Sequence, residues 1–315
     1  MLALSGATIY TSPFAEAIRD GTILIDNGVI VAVGTNIEVP PHAERRDCSG
    51  LTITSAFHNH HVHFFERKWA DVDRIPAAEL EQQLDEMLTR YGFTSVFDLG
   101  SPFANTRKLR ERIESGEVRG PRIRTTGEGL IARGTAPSDT VLHMMGVMKT
   151  SLPEISKAYE ATEATRRLLD NGVDGIKLFV GPTFPIDAIE AAVTEAHRDN
   201  KPVFVHPYRG ADVLSAVRAG VDVIAHTTPH SGPWDDELLR AIEASNATLT
   251  PTLLLWKTYA RHDRTSFRDT IVNTAIEQLR AWRSTSRPIL FGTDLGAVDY
   301  DPTEEYALMA DAGMT

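Results

Sequence analysis

Four histidines fall within six residues of the stretch SAFHNHHVHFF, at His58, His60, His61 and His63. Imidazoles at that density can hold a metal ion or titrate near neutral pH, and spacing distinguishes the two. If the stretch is a β-strand, residues two apart share a face. His61 and His63 then reach one ion together, while His60 and Val62 point the other way. Further along, single polar residues sit in or directly after apolar runs: Asp98 after TSVF, Lys177 in IKLFV, His206 in VFVHP, His226 in VIAHT and Asp294 in ILFGTD. A lone histidine at a strand end is ordinarily hydrogen-bonded structure. Four histidines and an aspartate at successive strand ends point instead to a metal site. Lys177 is the oddest of the group, because burying an unpaired ammonium is costly. A salt bridge to Asp98, or a stem that snorkels to water, would be its bland explanation.

These residues need elements to place them. Residues 77–91 carry Leu80, Leu84, Met87, Leu88 and Tyr91 at helical spacing behind Pro76. TSVFDLG follows as a strand. The unit then recurs: helix 105–115 with PRIRTTG, 153–170 with DGIKLFV, 186–199 with PVFVHP, and 211–219 with VDVIAH. Helix 235–244 leads to ATLTPTLLL and helix 266–283 to RPILFGTD. Counting from HNHHVHF gives eight strands. Continuous Val, Ile, Leu and Phe runs belong to strands covered on both faces, so the expectation is an α/β fold, a (β/α)8 TIM barrel. A doubly wound open sheet is the rival, but the Gly-rich dinucleotide fingerprint it often carries is absent. The site residues would then share the barrel's C-terminal face.

Residues 1–54 read differently. LALSGATIYT, GTILIDNGVIVAVG and LTITSA are short apolar runs broken by turn signals, with DNG marking a hairpin. The expected division is an N-terminal β-sandwich segment, 1–54, and a barrel, 55–315.

The 315 residues suit one large barrel with an appendage. Hydrophobic content of 42% and charged content of 24% are those of a soluble globular protein. Thirty-two basic against 43 acidic residues leave −11, which offers no footprint for nucleic acid or an anionic membrane. No apolar run approaches the roughly 20 residues that span a bilayer. The start, MLALSGATIYTSPF, lacks a basic n-region, and Cys48 has no partner in the chain, so a reducing cytoplasm is the expected location.

The ordered set His61, His63, Lys177, His206, His226 and Asp294 resembles that of the amidohydrolase superfamily. The phrases GVDGIKLFV, VFVHPY and GVDVIAHTTPH are most similar to its imidazolonepropionase-related branch, which includes Xaa-Pro dipeptidase-like enzymes. The resemblance implies that His61, His63 and Asp294 hold one divalent ion and His206 and His226 a second, zinc being the expected metal. It also implies that Lys177 is carboxylated to a bridging carbamate, which removes the buried-charge problem. Asp294 would be the catalytic residue, taking a proton during attack and passing it to the leaving amine. Two sequence features depart from the family. Ser55-Ala56 stands where Pro-Gly is usual, and the chain ends at AGMT, before the strands that would complete the sandwich, as in a truncated or minimal form.

Tyr208, two residues past His206, and His230, in HTTPHSGPW, are candidate substrate-binding residues. Packing within the barrel and a solvated loop are their bland counterparts. The leading expectation is a binuclear hydrolase of amide or other C–N bonds, with a dipeptide or N-acyl amino acid as substrate. A mononuclear cyclic-amide hydrolase or deaminase and an inactive metal-binding homologue are the alternatives. The expected partner is a small-molecule substrate, and a homo-oligomer is left open.

Overall fold

The computed structural model describes residues 1–135, 152–262, 267–298 and 300–314. They form two compact units, 1–57 and 58–315.

In the first unit the alternation of apolar and polar residues builds a five-stranded sheet. Strand β1 (Leu2–Tyr10) lies between β2 (Ile18–Asp26) and β4 (Glu44–Asp47), β3 (Val29–Gly34) flanks β2, and β5 (Thr52–Thr54) also pairs with β1. The DNG signal is a two-residue hairpin. Asp26 pairs with Val29 across Asn27 and Gly28, whose φ values of 47° and 79° match the strand twist. Ala7, Ile9, Ile23 and Cys48 form the core of this sheet, so the one thiol is buried.

The second unit is an α/β fold with parallel sheets. Strands β6 (Phe57–Val62), β7 (Phe93–Asp98) and β8 (Arg122–Thr125) make one sheet in that order. β9 (Leu130–Ala132), β10 (Glu154–Ile155), β11 (Ile176–Val180), β12 (Val203–Pro207), β13 (Val223–Ala225) and β14 (Thr248–Thr250) make a second, ordered β10-β9-β11-β12-β13-β14 and parallel throughout. Residues 288–295 run between β14 and β6. Leu290 N donates to Leu249 O at 2.8 Å, His60 N to Phe291 O at 2.9 Å, and Asp294 N to His61 O at 2.8 Å. On the other side, Asp174 N donates to Thr125 O at 2.7 Å, joining β8 to the approach to β11.

Helices cover the sheets with their apolar stripes: α1 (Ala77–Met87), α2 (Phe103–Glu114), α3 (Ala158–Asp170), α4 (Ile186–Arg198), α5 (Gly210–Arg218), α6 (Asp236–Ala244), α7 (Leu253–His262), α8 (Arg268–Ser284) and α9 (Thr303–Asp311). In α4 the buried residues Ala188, Ile189, Ala192, Val193 and Ala196 repeat at the helical period. Trp69, Trp234 and Trp256 are buried. No helix of the described residues is long and apolar enough to cross a membrane.

Several elements differ from expectation. RPILFGTD, read as the eighth strand, makes only an isolated bridge from Ile289 to Leu249, and the helix expected over 77–91 ends at Met87, with a single 3-10 turn over Thr89–Tyr91. ATLTPTLLL is a strand only to Thr250: Pro251 lacks a ladder donor, Thr252 turns to φ 46°, and the leucines begin α7. The helix expected from 153 starts at Ala158, because Glu154 and Ile155 pair with β9. The helix expected over 266–283 runs from Arg268 to Ser284, and residue 266 lies outside the described residues.

Candidate metal centre

Strand alternation does at β6 what the spacing required. Asn59, His61 and His63 are all buried on one face, whereas His58 is exposed and His60 turns to the Phe291 carbonyl at 3.2 Å. Asn59 fixes this end of the strand. Its Nδ2 donates to Thr293 Oγ1 at 2.7 Å, and its Oδ1 accepts from His61 N at 3.1 Å. The residue after Thr293 is Asp294, so one amide ties the histidine pair to the aspartate.

His61, His63 and Asp294 bring one ligating atom each within 4.8 Å of one another. Asp294 Oδ1 is 2.7 Å from His63 Nε2 and 3.0 Å from His61 Nε2. The His61 contact lacks hydrogen-bond alignment, although the distance is short, so the pair is electrostatic rather than donor to acceptor. Next comes His226, whose ring centroid is 4.6 Å from that of His61 and 4.6 Å from that of His206. Lys177 lies on β11, paired in register with Phe204, while its same-face neighbour Phe179 pairs with His206. The structure therefore brings His61, His63, His206 and His226 together with Asp294, and Lys177 is buried within their electrostatic reach.

Burial and mutual charge set the protonation of this group. Burial pushes His61 down to about 3, with the Asp294 carboxylate pulling the other way. His206 falls to about 3 through burial and the nearby Lys177, and His226 lies well below the usual imidazole value for the same first reason. Burial would raise the Asp294 carboxyl, but His61 and His63 outweigh it and hold it well below the ordinary range. Lys177 drops to about 7 because it is buried, against the pull of Asp294. At neutral pH the site thus offers neutral imidazoles, an ionised carboxylate and an amine that gives up its proton readily, which are the forms a divalent ion requires.

The buried atoms without partners test the fit. His61 Nδ1, His63 Nδ1 and Lys177 Nζ make no hydrogen bond in the described structure. Buried polar atoms are rarely left this way, and an ion or unplaced group is one recognised reason. The expected bland partner of Lys177 is engaged elsewhere. Asp98 accepts from Thr125 Oγ1 at 2.8 Å, Thr106 Oγ1 at 3.1 Å, the Ser101 hydroxyl and Phe64 N.

Backbone geometry is unusual here as well. His226, Thr252 and Asp294 all adopt positive φ, at 78°, 46° and 65°. Such conformations cost about 1–3 kcal/mol each for residues other than glycine and cluster at functional sites. Thr252 was not foreseen from sequence. Its Oγ1 lies 2.6 Å from His226 Nδ1 and donates its own proton to Pro251 O at 2.9 Å. With its proton on Pro251 O, the hydroxyl is left to accept from Nδ1–H, the tautomer that frees the His226 Nε2 lone pair.

Tyr208 is about half exposed, with its ring edge-on to His206 at 4.8 Å. His230 is exposed and packs with Phe267 at 5.0 Å, Trp256 at 5.4 Å and Tyr259 at 5.2 Å.

The chain matches the amidohydrolase family over residues 52–314. It belongs to that family, whose members are hydrolases of carbon–nitrogen bonds and generally use metal ions. Its fold is similar to that of a Bifidobacterium longum protein assigned as a prolidase, at 25% identity and a TM-score of 0.80, over 99% of this chain and 79% of that one. A Xaa-Pro dipeptidase with methionine bound in its active site gives 21% identity and a TM-score of 0.80, over 99% and 84%. Ochratoxinase from A. niger gives 18% identity and 0.76, over 100% and 80%. No match was found among curated proteins.

Proposed function

We propose that this protein is a metal-dependent amidohydrolase that cleaves an amide bond in a dipeptide or N-acyl amino acid, using a centre for two divalent ions, expected to be zinc. The observation that carries the proposal is the convergence of His61 Nε2, His63 Nε2 and Asp294 Oδ1 beside unpartnered Lys177. His61, His63 and Asp294 would hold one ion, His206 and His226 the second, and a carboxylated Lys177 both. We infer too that residues 288–295 close the second unit into a (β/α)8 barrel, by their hydrogen bonds to β14 and β6, and that residues 1–54 serve as its β-sandwich segment.

Bound ions supply a water of lowered pKa and polarise the scissile carbonyl. The protein's own groups do the rest. Asp294, ionised and buried, accepts the proton of the attacking water and returns it to the leaving nitrogen. Its left-handed backbone directs the carboxylate back toward His61 and His63. Thr252 keeps the His226 proton on Nδ1. The neutral Lys177 amine would add to CO2 through a new N–C bond and release a proton to solvent, leaving a carbamate anion that could help hold the ions. Tyr208 and His230 would contact the substrate, which is the expected partner.

A one-ion hydrolase or deaminase is the second reading, because among the described residues the tight cluster comprises His61, His63 and Asp294. The test is release of amine from a panel of N-acyl amino acids and dipeptides before chelation, after chelation and after zinc is restored. Turnover that is lost and then regained supports the proposal. Turnover indifferent to chelation of a demonstrably metal-free sample overturns it. Activity fully restored by one ion per chain selects the second reading.

A further inference from the structure

Thr252 stands immediately before α7, where a threonine hydroxyl ordinarily accepts a hydrogen bond from a first-turn amide. Here the hydroxyl faces elsewhere, donating to Pro251 O and accepting from His226 Nδ1. The first-turn amide is served from another helix. Glu305 of α9, fully buried, accepts from Leu254 N through Oε2 at 2.6 Å across 51 residues of sequence. Its other oxygen, Oε1, has no partner among the described residues.

We propose that Glu305 is a positioning residue for the metal centre: by capping α7 in place of Thr252, it frees the threonine hydroxyl to hold His226 with Nε2 toward the ion. The inference rests on His226 being a metal ligand. It explains why a carboxyl is retained in an apolar setting between α7 and α9. A helix start left uncapped would compete for a hydroxyl at its N-terminus, and Thr252, directly before Leu253, carries one there. Burial raises the Glu305 carboxyl to about 8, so at neutral pH it acts mainly as an uncharged acceptor and adds little repulsion beside Asp294.

Reach and the carboxyl group can be separated by substitution. Glu305→Gln keeps an acceptor oxygen at the same distance without an ionisable group. Glu305→Asp keeps the carboxyl but is one methylene too short. Glu305→Met fills the space without an acceptor and is expected to match Glu305→Asp, so the test survives if one of them fails to fold. The primary readout is the His226 tautomer by nitrogen NMR in metal-free protein, followed by zinc affinity on titration. The parent and Glu305→Gln should show a single Nδ1–H tautomer and zinc affinities within about twofold. Glu305→Asp, Glu305→Met and Thr252→Val should show mixed tautomers and about 10–100-fold weaker zinc, the range typical of partners lying behind metal ligands. Combined with Thr252→Val, Glu305→Met should weaken zinc no further, since both act through one hydrogen bond. An unchanged tautomer in Glu305→Asp and Glu305→Met, or losses that multiply in the double variant, would overturn the role. A parent that binds no zinc would sink the metal proposal, and the tautomer would still decide the part played by Glu305.

Discussion

Asp294 Oδ1 lies 2.7 Å from His63 Nε2, joining two residues 231 positions apart at the ends of adjacent segments. The contact makes Asp294 both an anchor for the histidine pair and an ionised carboxylate placed beside it. Asp294→Asn preserves size and a ligating oxygen but cannot take up a proton. Turnover should fall by roughly 10²–10⁴-fold, the usual contribution of general acid–base catalysis, while much of the bound metal remains. Metal content and kcat measured on one preparation check this, and parental turnover would remove Asp294 from the chemistry.

Lys177→Ala should cost activity and at least one ion, with short carboxylic acids restoring part of both by occupying the bridging position. Lys177→Arg should restore neither, because a guanidinium keeps its positive charge and cannot become an anion. Full activity in Lys177→Ala would eliminate the carbamate.

Metal-free protein should reveal Lys177 through pH. In the unfolded chain its value is the ordinary 10.5, and in the fold it is about 7. Between those values the unfolded state binds the proton and the native state does not. Stability therefore rises with pH from about 7 to 10.5, and is lost as pH falls back through that window. Lys177→Met should flatten this rise in Tm relative to the parent. The histidines give the same sign lower down. Since His61 and His206 stand at about 3 instead of 6.5, acid below 6.5 favours the unfolded state progressively until about 3. Equal slopes for parent and Lys177→Met between pH 7 and 10 would show that the lysine is not held neutral.

Gly292 lets residues 288–295 pass close to β6. A Cβ there would strike Thr250 Cγ2 and come within 2.9 Å of His61 Cβ. Gly292→Ala should cost about 1–3 kcal/mol, as overpacking does, and lower Tm by several degrees. Because the clash falls on His61, zinc affinity should drop with it. A variant with parental Tm and zinc affinity would mean the two segments part without consequence.

The strand-end residues were legible because each ends or interrupts an apolar run that only a buried strand explains, as in IKLFV and VFVHP. The pairing of His61 with His63 followed from strand alternation alone. Thr252 and Glu305 were not legible. Their roles arise where α7 begins and α9 packs, and one threonine among leucines carries no periodic signal. LLL after Pro251 suits a buried strand or helix equally well, so the end of β14 was misplaced. The three-residue β9 and two-residue β10 are too short to leave a pattern. The suggested Lys177–Asp98 pair failed because hydroxyls of Thr106 and Thr125, distant in sequence from Lys177, claim the aspartate first.

Elemental analysis of the purified protein, alongside a variant carrying His61→Ala, His63→Ala and Asp294→Ala, tests the metal centre most directly. The parent should hold close to two divalent ions per chain after zinc is supplied and excess removed, and the folded variant at most one. A folded parent that retains no ion, or a variant that retains as many as the parent, would contradict the site proposed for this hydrolase.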